Sequence, residues 1–453
     1  NFFTDRTLFK GVKMLPAGCW LRIGSAGVPT ISRFWDYSFQ EPTKTRSEGA
    51  YQDELDDLFQ RATKRQLISD VEVGSYLSGG MDSGSITAIA AGEVKELKTF
   101  TVGFDLSSAS GMELAFDERA KAERMSALVG TEHYEMVLKS GDMERAMERL
   151  VWHLEEPRVG QSYPNYYAAK LAGSFCKVVL SGAGGDELFG GYPWRYYRAL
   201  INSDFDHYVA KYFDHWKRLV PKHELTPILA PVGVGDVHGQ LFDIFRDVFP
   251  PDQSALQRPE DYVNHSLYFE AKTFLHGLLV VEDKVSMTHG LEARVPFLDN
   301  DLVDFAQNVP VALKLGNLGE VVALNENEPG RKTARYFEKT QDGKLLLRKT
   351  MARHISDSVA HEVKQGFSAP DASWFKGESI EYVRRKLMRK EAEIYEYLDR
   401  GTVQKLVDDH LEGRSNRRLL IWSLLSFQTW IEVFLLGNRP APQMAPGRQR
   451  SVA

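Results

Sequence analysis

Leu77-Ser78-Gly79-Gly80-Met81-Asp82-Ser83, residues 77–83, is the stretch on which the fold turns. A short apolar run, Val71 to Leu77, leads into it, and Ser83 to Gly92 leaves it with the pattern of a helix. Strand, glycine turn and helix in that order open an α/β unit. The paired glycines let the backbone turn sharply and approach a ligand closely. The helix that follows offers unpaired N–H groups and the positive end of its dipole, a ready anion site. Ser78 and Ser83 add hydroxyl donors. Asp82 would repel a phosphate unless a divalent cation lay between them, so the loop predicts a phosphate group held with Mg²⁺ on oxygen ligands. It is not a Walker loop, which ends in Gly-Lys-Ser/Thr.

Outward from the loop the same alternation continues. Residues 48–68 place Tyr51, Leu55, Leu58, Phe59 and Ala62 at helical spacing. Lys98 to Phe104, Glu132 to Leu138 and Cys176 to Leu180 read as strands, with helices at Phe116 to Val129 and Asp142 to Leu154. Strands alternating with helices predict an α/β fold, a parallel sheet flanked by helices. Beyond about residue 200 the pattern is mainly helical, with a polar interruption near Gly319 to Gly343. A second glycine loop, Ser181-Gly182-Ala183-Gly184-Gly185-Asp186-Glu187, follows the strand ending at Leu180. Ligands of open parallel sheets bind at the carboxyl ends of the strands. Both loops therefore belong on one rim, and Asp82 and Asp186 are the expected metal pair.

The chain has 453 residues, 43% hydrophobic and 26% charged, with a formal net charge of −6. That is ordinary globular composition. It lacks the bulk positive field that nucleic-acid backbones attract, so no nucleic acid is expected as partner. Cys19 and Cys176 are the two cysteines, too few for a disulfide framework or a thiolate zinc site. Leu419 to Leu436 is the most apolar run. Ser423, Ser426, Gln428, Thr429 and Glu432 interrupt it, so it reads as a buried C-terminal helix with no membrane contact. A cytoplasmic location follows from the absence of a secretory pattern in the sequence as it stands.

The loop at Ser78 to Ser83 resembles the pyrophosphate-binding loop of the ATP-pyrophosphatase group. A wider set resembles the synthetase domain of glutamine-dependent asparagine synthetases. The matching pieces are Tyr76 to Gly80, Thr99 to Phe104, Gly184 to Tyr192, Asp283 to Met287, Leu291 to Asp299 and Lys364-Gln365-Gly366-Phe367, in order. The resemblance implies an adenine nucleotide alpha-hydrolase-like fold and an ATP-dependent carbon–nitrogen ligase, with ATP and Mg²⁺ as cofactors. In such an enzyme a substrate carboxylate attacks the α-phosphate of ATP, and ammonia then attacks the acyl-adenylate. It further implies that Leu77, Val102, Ser181 and Gly182 line the adenosine pocket. Ser78, Gly79, Gly80, Asp82 and Ser83 would hold pyrophosphate, and Asp82 with Asp186 the metal. Lys364 matches the family's lysine at the phosphate and developing oxyanion, a fixed cation of the kind that lowers such barriers.

Two departures matter. Asparagine synthetases carry Glu where this chain has Ala183, and alanine cannot serve the amine step. Either another side chain supplies the base or the pocket is reshaped for a bulkier acid, and the expected acceptor is a small-molecule carboxylate other than aspartate, a sugar acid among the candidates. The aromatic run Tyr192-Pro193-Trp194-Arg195-Tyr196-Tyr197 reads either as helix core or as a surface that offers stacking and an arginine for that acid. The second departure is at the start, where Asn1 stands in place of the family's nucleophilic Cys. Residues 1–38 resemble the end of a glutaminase-type amidotransferase domain, 48–436 the synthetase domain, and 437–453 a flexible tail. A glutaminase upstream of Asn1, or a separate or cleaved glutaminase segment, would supply ammonia, and a homodimer is also left open. Alternatives are asparagine synthesis from aspartate, intramolecular ring closure as in β-lactam or lasso-peptide cyclases, and a non-catalytic nucleotide-binding partner.

Overall fold

The computed structural model describes residues 3–440 apart from 45, 108, 110–112, 114–115, 161, 197–199, 218, 251–255, 319–342 and 362–368. An antiparallel pair, β1 (Cys19–Ile23) and β2 (Pro29–Arg33), stands before the main sheet. The main sheet has five strands: β3 (Val73–Tyr76), β4 (Lys98–Phe104), β5 (Glu132–Leu138), β6 (Val178–Leu180) and β7 (Glu292–Arg294). Their order is β5-β4-β3-β6-β7 and every pairing is parallel. The expected parallel sheet flanked by helices is the fold. In register, Ser75 of β3 lies opposite Thr99 of β4 on one side and Leu180 of β6 on the other.

That order contains a switch point. The chain builds outward from β3 through β4 to β5, then returns to the other side of β3 with β6. Connections leaving β3 and β6 therefore diverge to opposite faces and open a crevice at the carboxyl ends of these two strands. The two glycine loops lie at its mouth.

Apolar alternation sends side chains to both faces of the sheet. Phe100, Val102, Phe104 and Val179 join one core with α4 (Ser140–Leu154), α5 (Tyr163–Gly173) and the C-terminal helix Arg418–Trp430. Leu77 and Leu180 join the opposite core with α1 (Glu48–Gln66), α2 (Met81–Glu93) and the helix Leu345–Met351. On α1, Tyr51, Leu55, Leu58, Phe59 and Ala62 are all buried, as their spacing requires, each large side chain contributing roughly 1.5–3 kcal/mol. The Ser47 hydroxyl caps α1 by accepting from the Ala50 N–H.

The segment Arg418–Leu435 is apolar and long enough to cross a membrane by length and composition alone, and 61% of it is buried inside the protein. Leu420, Ile421, Trp422, Leu424, Leu425 and Trp430 pack into the core beside α4. Residues 437–440 follow it, and 441–453 lie outside the described residues.

Candidate active site

The loop after β3 closes on itself through its two serines. The Ser78 N–H donates to Ser83 Oγ at 3.1 Å, the two hydroxyls meet at 3.0 Å, and the Gly80 N–H donates to Ser78 Oγ at 3.3 Å. Gly79 has φ +75°, and a Cβ there would lie 2.6 Å from the Lys121 backbone. Only glycine fits so close to α3 (Arg119–Val129). Gly80 is the N-cap of α2 and supplies no side-chain acceptor, so the first-turn N–H groups of the helix have no cap.

The second loop leaves β6 at Ser181, whose N–H donates to the Arg294 carbonyl of β7 at 2.8 Å. It then lies against the first. A Cβ on Gly182 would sit 3.2 Å from Ser83 N, and one on Gly185 would sit 2.8 Å from Asp82 Oδ1. Glycines at these points let Asp82 and Asp186 converge. Asp186 opens α6 (Gly185–Phe189), and the Gly191 N–H returns to the Asp186 carbonyl at 2.7 Å. Gly191 itself has no room for a side chain, since a Cβ would fall 1.9 Å from Asp186 Oδ1.

Between the two carboxylates stands Lys344. Its Nζ lies 2.6 Å from Asp82 Oδ2 and 2.5 Å from Asp186 Oδ1, with the lysine side chain only 3% exposed. Lys344 adopts the left-handed conformation, φ +59°, as the cap of the helix Leu345–Met351. For a residue with a Cβ that conformation costs roughly 1–2 kcal/mol. Gly343 before it abuts the Gly190 carbonyl, so the Gly343–Lys344 turn is wedged against the second loop. Arg348 ties this corner down, donating to the carbonyls of Gly343 and Ala360 at 2.8 and 2.7 Å.

Asp82 Oδ1 is buried without a hydrogen-bond partner. Two carboxylates converging on one point, one with an unsatisfied oxygen, form a donor set that suits Mg²⁺, a hard cation that takes oxygen ligands. The Lys344 ammonium stands at the point between them. Beside them Glu187 is 2% exposed and accepts from the Tyr192 hydroxyl at 3.0 Å. Burial, with the charge of Asp186 adding to it, pushes the Glu187 carboxyl up to about 7.

Leu77 and Val102 are buried at the carboxyl ends of β3 and β4. The Leu77 N–H donates to the Phe100 carbonyl at 3.0 Å, and the Thr101 hydroxyl donates to the Leu77 carbonyl. Across the crevice the Ser181 hydroxyl accepts from the Ala183 N–H at 3.4 Å. The sequence profile of the asparagine synthase family matches residues 54–432. The chain belongs to the asparagine synthase family.

Among the family's curated members, asparagine synthetase [glutamine-hydrolyzing] 1 of Bacillus subtilis is 28% identical over 450 residues, covering 94% of this chain and 66% of that protein. Asparagine synthetase [glutamine-hydrolyzing] 3 of the same organism is 26% identical, covering 94% and 67%. Amidase chyE of Penicillium rubens is 25% identical, covering 89% and 65%. The chain thus spans about two thirds of the length of these relatives. Among solved structures, an NMN synthetase from Francisella tularensis matches at 16% identity, covering 50% of this chain and 96% of that one with a TM-score of 0.22. An ammonia-dependent NAD synthetase from Campylobacter jejuni matches at 15% identity, covering 32% and 61% with a TM-score of 0.20.

The structure of this asparagine synthase family member gathers Leu77, Ser78, Gly79, Gly80, Asp82, Ser83, Val102, Ser181, Gly182 and Asp186 around one crevice. Lys364 lies outside the described residues. The sequence reading gave no role to Lys344, and quoted Glu187 and Gly191 only as parts of the second loop. A Gly-Lys pair directly before the apolar run Leu345-Leu346-Leu347 was the available signal for the first.

Of the two readings of the aromatic run, the acid contact needs correction and the core reading stands: Arg195 is 7% exposed and committed inward. Its NH1 donates to Glu270 Oε2 at 2.8 Å, and its guanidinium lies 3.9 Å from the Tyr192 ring centroid and 4.3 Å from that of Phe274. Glu270 is fully buried, so it needs this cation, and the aromatic run encloses the pair. Arg294 bonds Glu292 at 2.8 Å.

Proposed function

We propose that this chain is the synthetase part of an ATP-dependent amidotransferase: it adenylates a substrate carboxylate and passes ammonia to the activated carbonyl, releasing AMP and pyrophosphate. The observation that carries this reading is the convergence of Asp82 and Asp186 on Lys344 at the switch point of a parallel sheet. Anionic oxygens of a polyphosphate fit where backbone N–H groups, serine hydroxyls and a lysine face one another.

In this proposal Leu77, Val102, Ser181 and Gly182 line the adenosine pocket, and Ser78, Gly79, Gly80 and Ser83 hold the β- and γ-phosphates. Asp82 and Asp186 would hold Mg²⁺, which neutralises phosphate charge when bound. Lys344 offers its ammonium to the phosphates as they take over from the carboxylates. Lys364 serves the developing oxyanion. With Ala183 small, the pocket beside it accommodates an acid bulkier than aspartate, and a sugar acid is the proposed class. The two relatives named as glutamine-hydrolyzing support ammonia drawn from glutamine, with residues 1–38 as the end of a glutaminase-type domain. The name of the Penicillium rubens relative, an amidase, fits a family whose acceptors vary.

Exchange of labelled pyrophosphate into ATP across a panel of carboxylic acids tests the reading. Acid-dependent exchange is the expected result. No exchange with any acid, together with no bound ATP, would refute it.

A further inference from the structure

The turn that carries Asp186 is closed twice. The helix Gly185–Phe189 ends at Gly190 in the left-handed conformation, φ +75°, and the Gly191 N–H returns to the Asp186 carbonyl at 2.7 Å. One residue on, the Tyr192 hydroxyl reaches back and donates to Glu187 Oε1 at 3.0 Å. Glu187 is 2% exposed, so its carboxyl needs a donor from within the protein. Between these two closures the Asp186 carboxylate rests on Gly191, which leaves no room for a Cβ beside Oδ1. The height of that carboxylate is set by where the Gly191–Tyr192 backbone lies, and the Tyr192 hydroxyl fixes the end of it.

The ring of Tyr192 is held as firmly as its hydroxyl. The Arg195 guanidinium lies 3.9 Å from the ring centroid, and the Phe274 ring meets it edge-on at 5.8 Å. Arg195 is fixed in turn by the fully buried Glu270, which accepts from it at 2.8 Å and from the Tyr212 hydroxyl at 2.7 Å. Glu270 and Tyr212 belong to the helices Pro259–Glu270 and Phe205–Trp216, outside both glycine loops. The contacts run from Tyr212 through Glu270, Arg195 and Tyr192 to Glu187, the neighbour of Asp186, whose Oδ1 lies 2.5 Å from Lys344 Nζ. The buried ion pair thus has a task besides packing: it aims a hydroxyl at the turn under Asp186.

We propose that Tyr192 is a positioning residue for Asp186, its hydroxyl clasping Glu187 so that the turn presents the Asp186 carboxylate at the point it shares with Asp82. This rests on the reading of Asp82 and Asp186 as Mg²⁺ ligands beside ATP. Partners that orient a metal-binding carboxylate without touching the metal tune its affinity, and Tyr192 acts in that way through the backbone of the turn.

The experiment uses electron paramagnetic resonance to measure binding of Mn²⁺ together with α,β-methylene-ATP, an analogue that is not cleaved at the α-phosphate. The unmodified chain is compared with Tyr192→Phe, which keeps the ring on Arg195 and loses the hydroxyl alone. Affinity for Mn²⁺ with the analogue should fall about 10–100-fold, the effect of removing an outer partner of a metal ligand. The thermal midpoint should fall by no more than about 3 °C. In a Glu187→Met background the hydroxyl has no carboxyl to hold, so Tyr192→Phe should change the affinity there by less than about 2-fold. The single variant decides even where Glu187→Met does not fold. Affinity in Tyr192→Phe within about 2-fold of the unmodified chain overturns the proposal. A full effect that persists beside Glu187→Met overturns it too, because the hydroxyl then acts through another group. So does an affinity loss accompanied by a midpoint about 10 °C lower, which assigns the hydroxyl to the fold. Failure of the unmodified chain to bind Mn²⁺ with the analogue instead refutes the metal and nucleotide reading, and the proposal falls with it.

Discussion

Replacing Lys344 with Met isolates the charge cluster at the crevice. The ammonium is 3% exposed, and the two carboxylates it bonds are 14% and 9% exposed. Both carboxylate oxygens lie within 2.6 Å of one nitrogen, so they are at most about 5 Å apart. With the lysine gone, two like charges at that separation repel by about 3 kcal/mol at an effective dielectric near 20. Removing one partner of a buried ionic cluster costs about 3–5 kcal/mol overall, because the remaining charges are stranded. Unfolding entropy for 453 residues is roughly 1 kcal/mol/K near 60 °C, so the midpoint should fall by about 3–5 °C. Thermal unfolding followed by circular dichroism reads the loss. The variant should then respond to Mg²⁺ more strongly than the parent, since the vacated point between two carboxylates is a cation site. At a hundred times the dissociation constant, Mg²⁺ restores about 2.7 kcal/mol. A variant as stable as the parent, with no gain from Mg²⁺, would show that the three groups do not form the cluster.

Three further outcomes follow from the geometry. Gly79→Ala combines a positive φ with a contact 2.6 Å from the Lys121 backbone, so chemical denaturation should show a loss of about 2–4 kcal/mol. Gly191→Ala puts a methyl group on Asp186 Oδ1 and displaces that carboxylate, so pyrophosphate exchange should fall about 10²-fold while most of the stability remains. His289 and His410 are both held down to about 4 by burial, below their unfolded value. From about pH 6.5 to 4 the unfolded chain takes up protons that the folded chain refuses. Each histidine should therefore cost about 1.4 kcal/mol of stability per pH unit on acidification. His410 accepts from the Arg417 N–H through Nδ1, so His410→Asn keeps an acceptor near that position and should flatten the slope. An unchanged slope in the variant would show that His410 is protonated in the fold.

The alternating strands and helices were legible because β6 is a continuous apolar run, β4 alternates Phe100, Val102 and Phe104 with other residues, and α1 carries a clear 3.6-residue period. The loops were legible for a local reason as well: glycines, serines and an aspartate adjacent in sequence do one job. β7 was not, since Glu292-Ala293-Arg294 is three residues long with a charge at each end, and only its pairing to β6 makes it a strand. Lys344 could not be paired with Asp82 from sequence, because 262 positions separate them and ion pairing leaves no periodic trace. Arg195 misled for the opposite reason. An arginine among aromatics reads equally as a recognition surface or a buried cation, and only the fully buried Glu270 on another helix decides for the second.

The central claim is that the crevice joins a carboxylate to the α-phosphate of ATP. Supplying an acid that supports exchange with ¹⁸O in its carboxyl group, and recovering the nucleotide after amidation, tests it most directly. One ¹⁸O atom in the phosphate of AMP, with unlabelled pyrophosphate, is the expected result. Label in inorganic phosphate with ADP as the nucleotide product would contradict the account, because the acid would then have attacked the terminal phosphate.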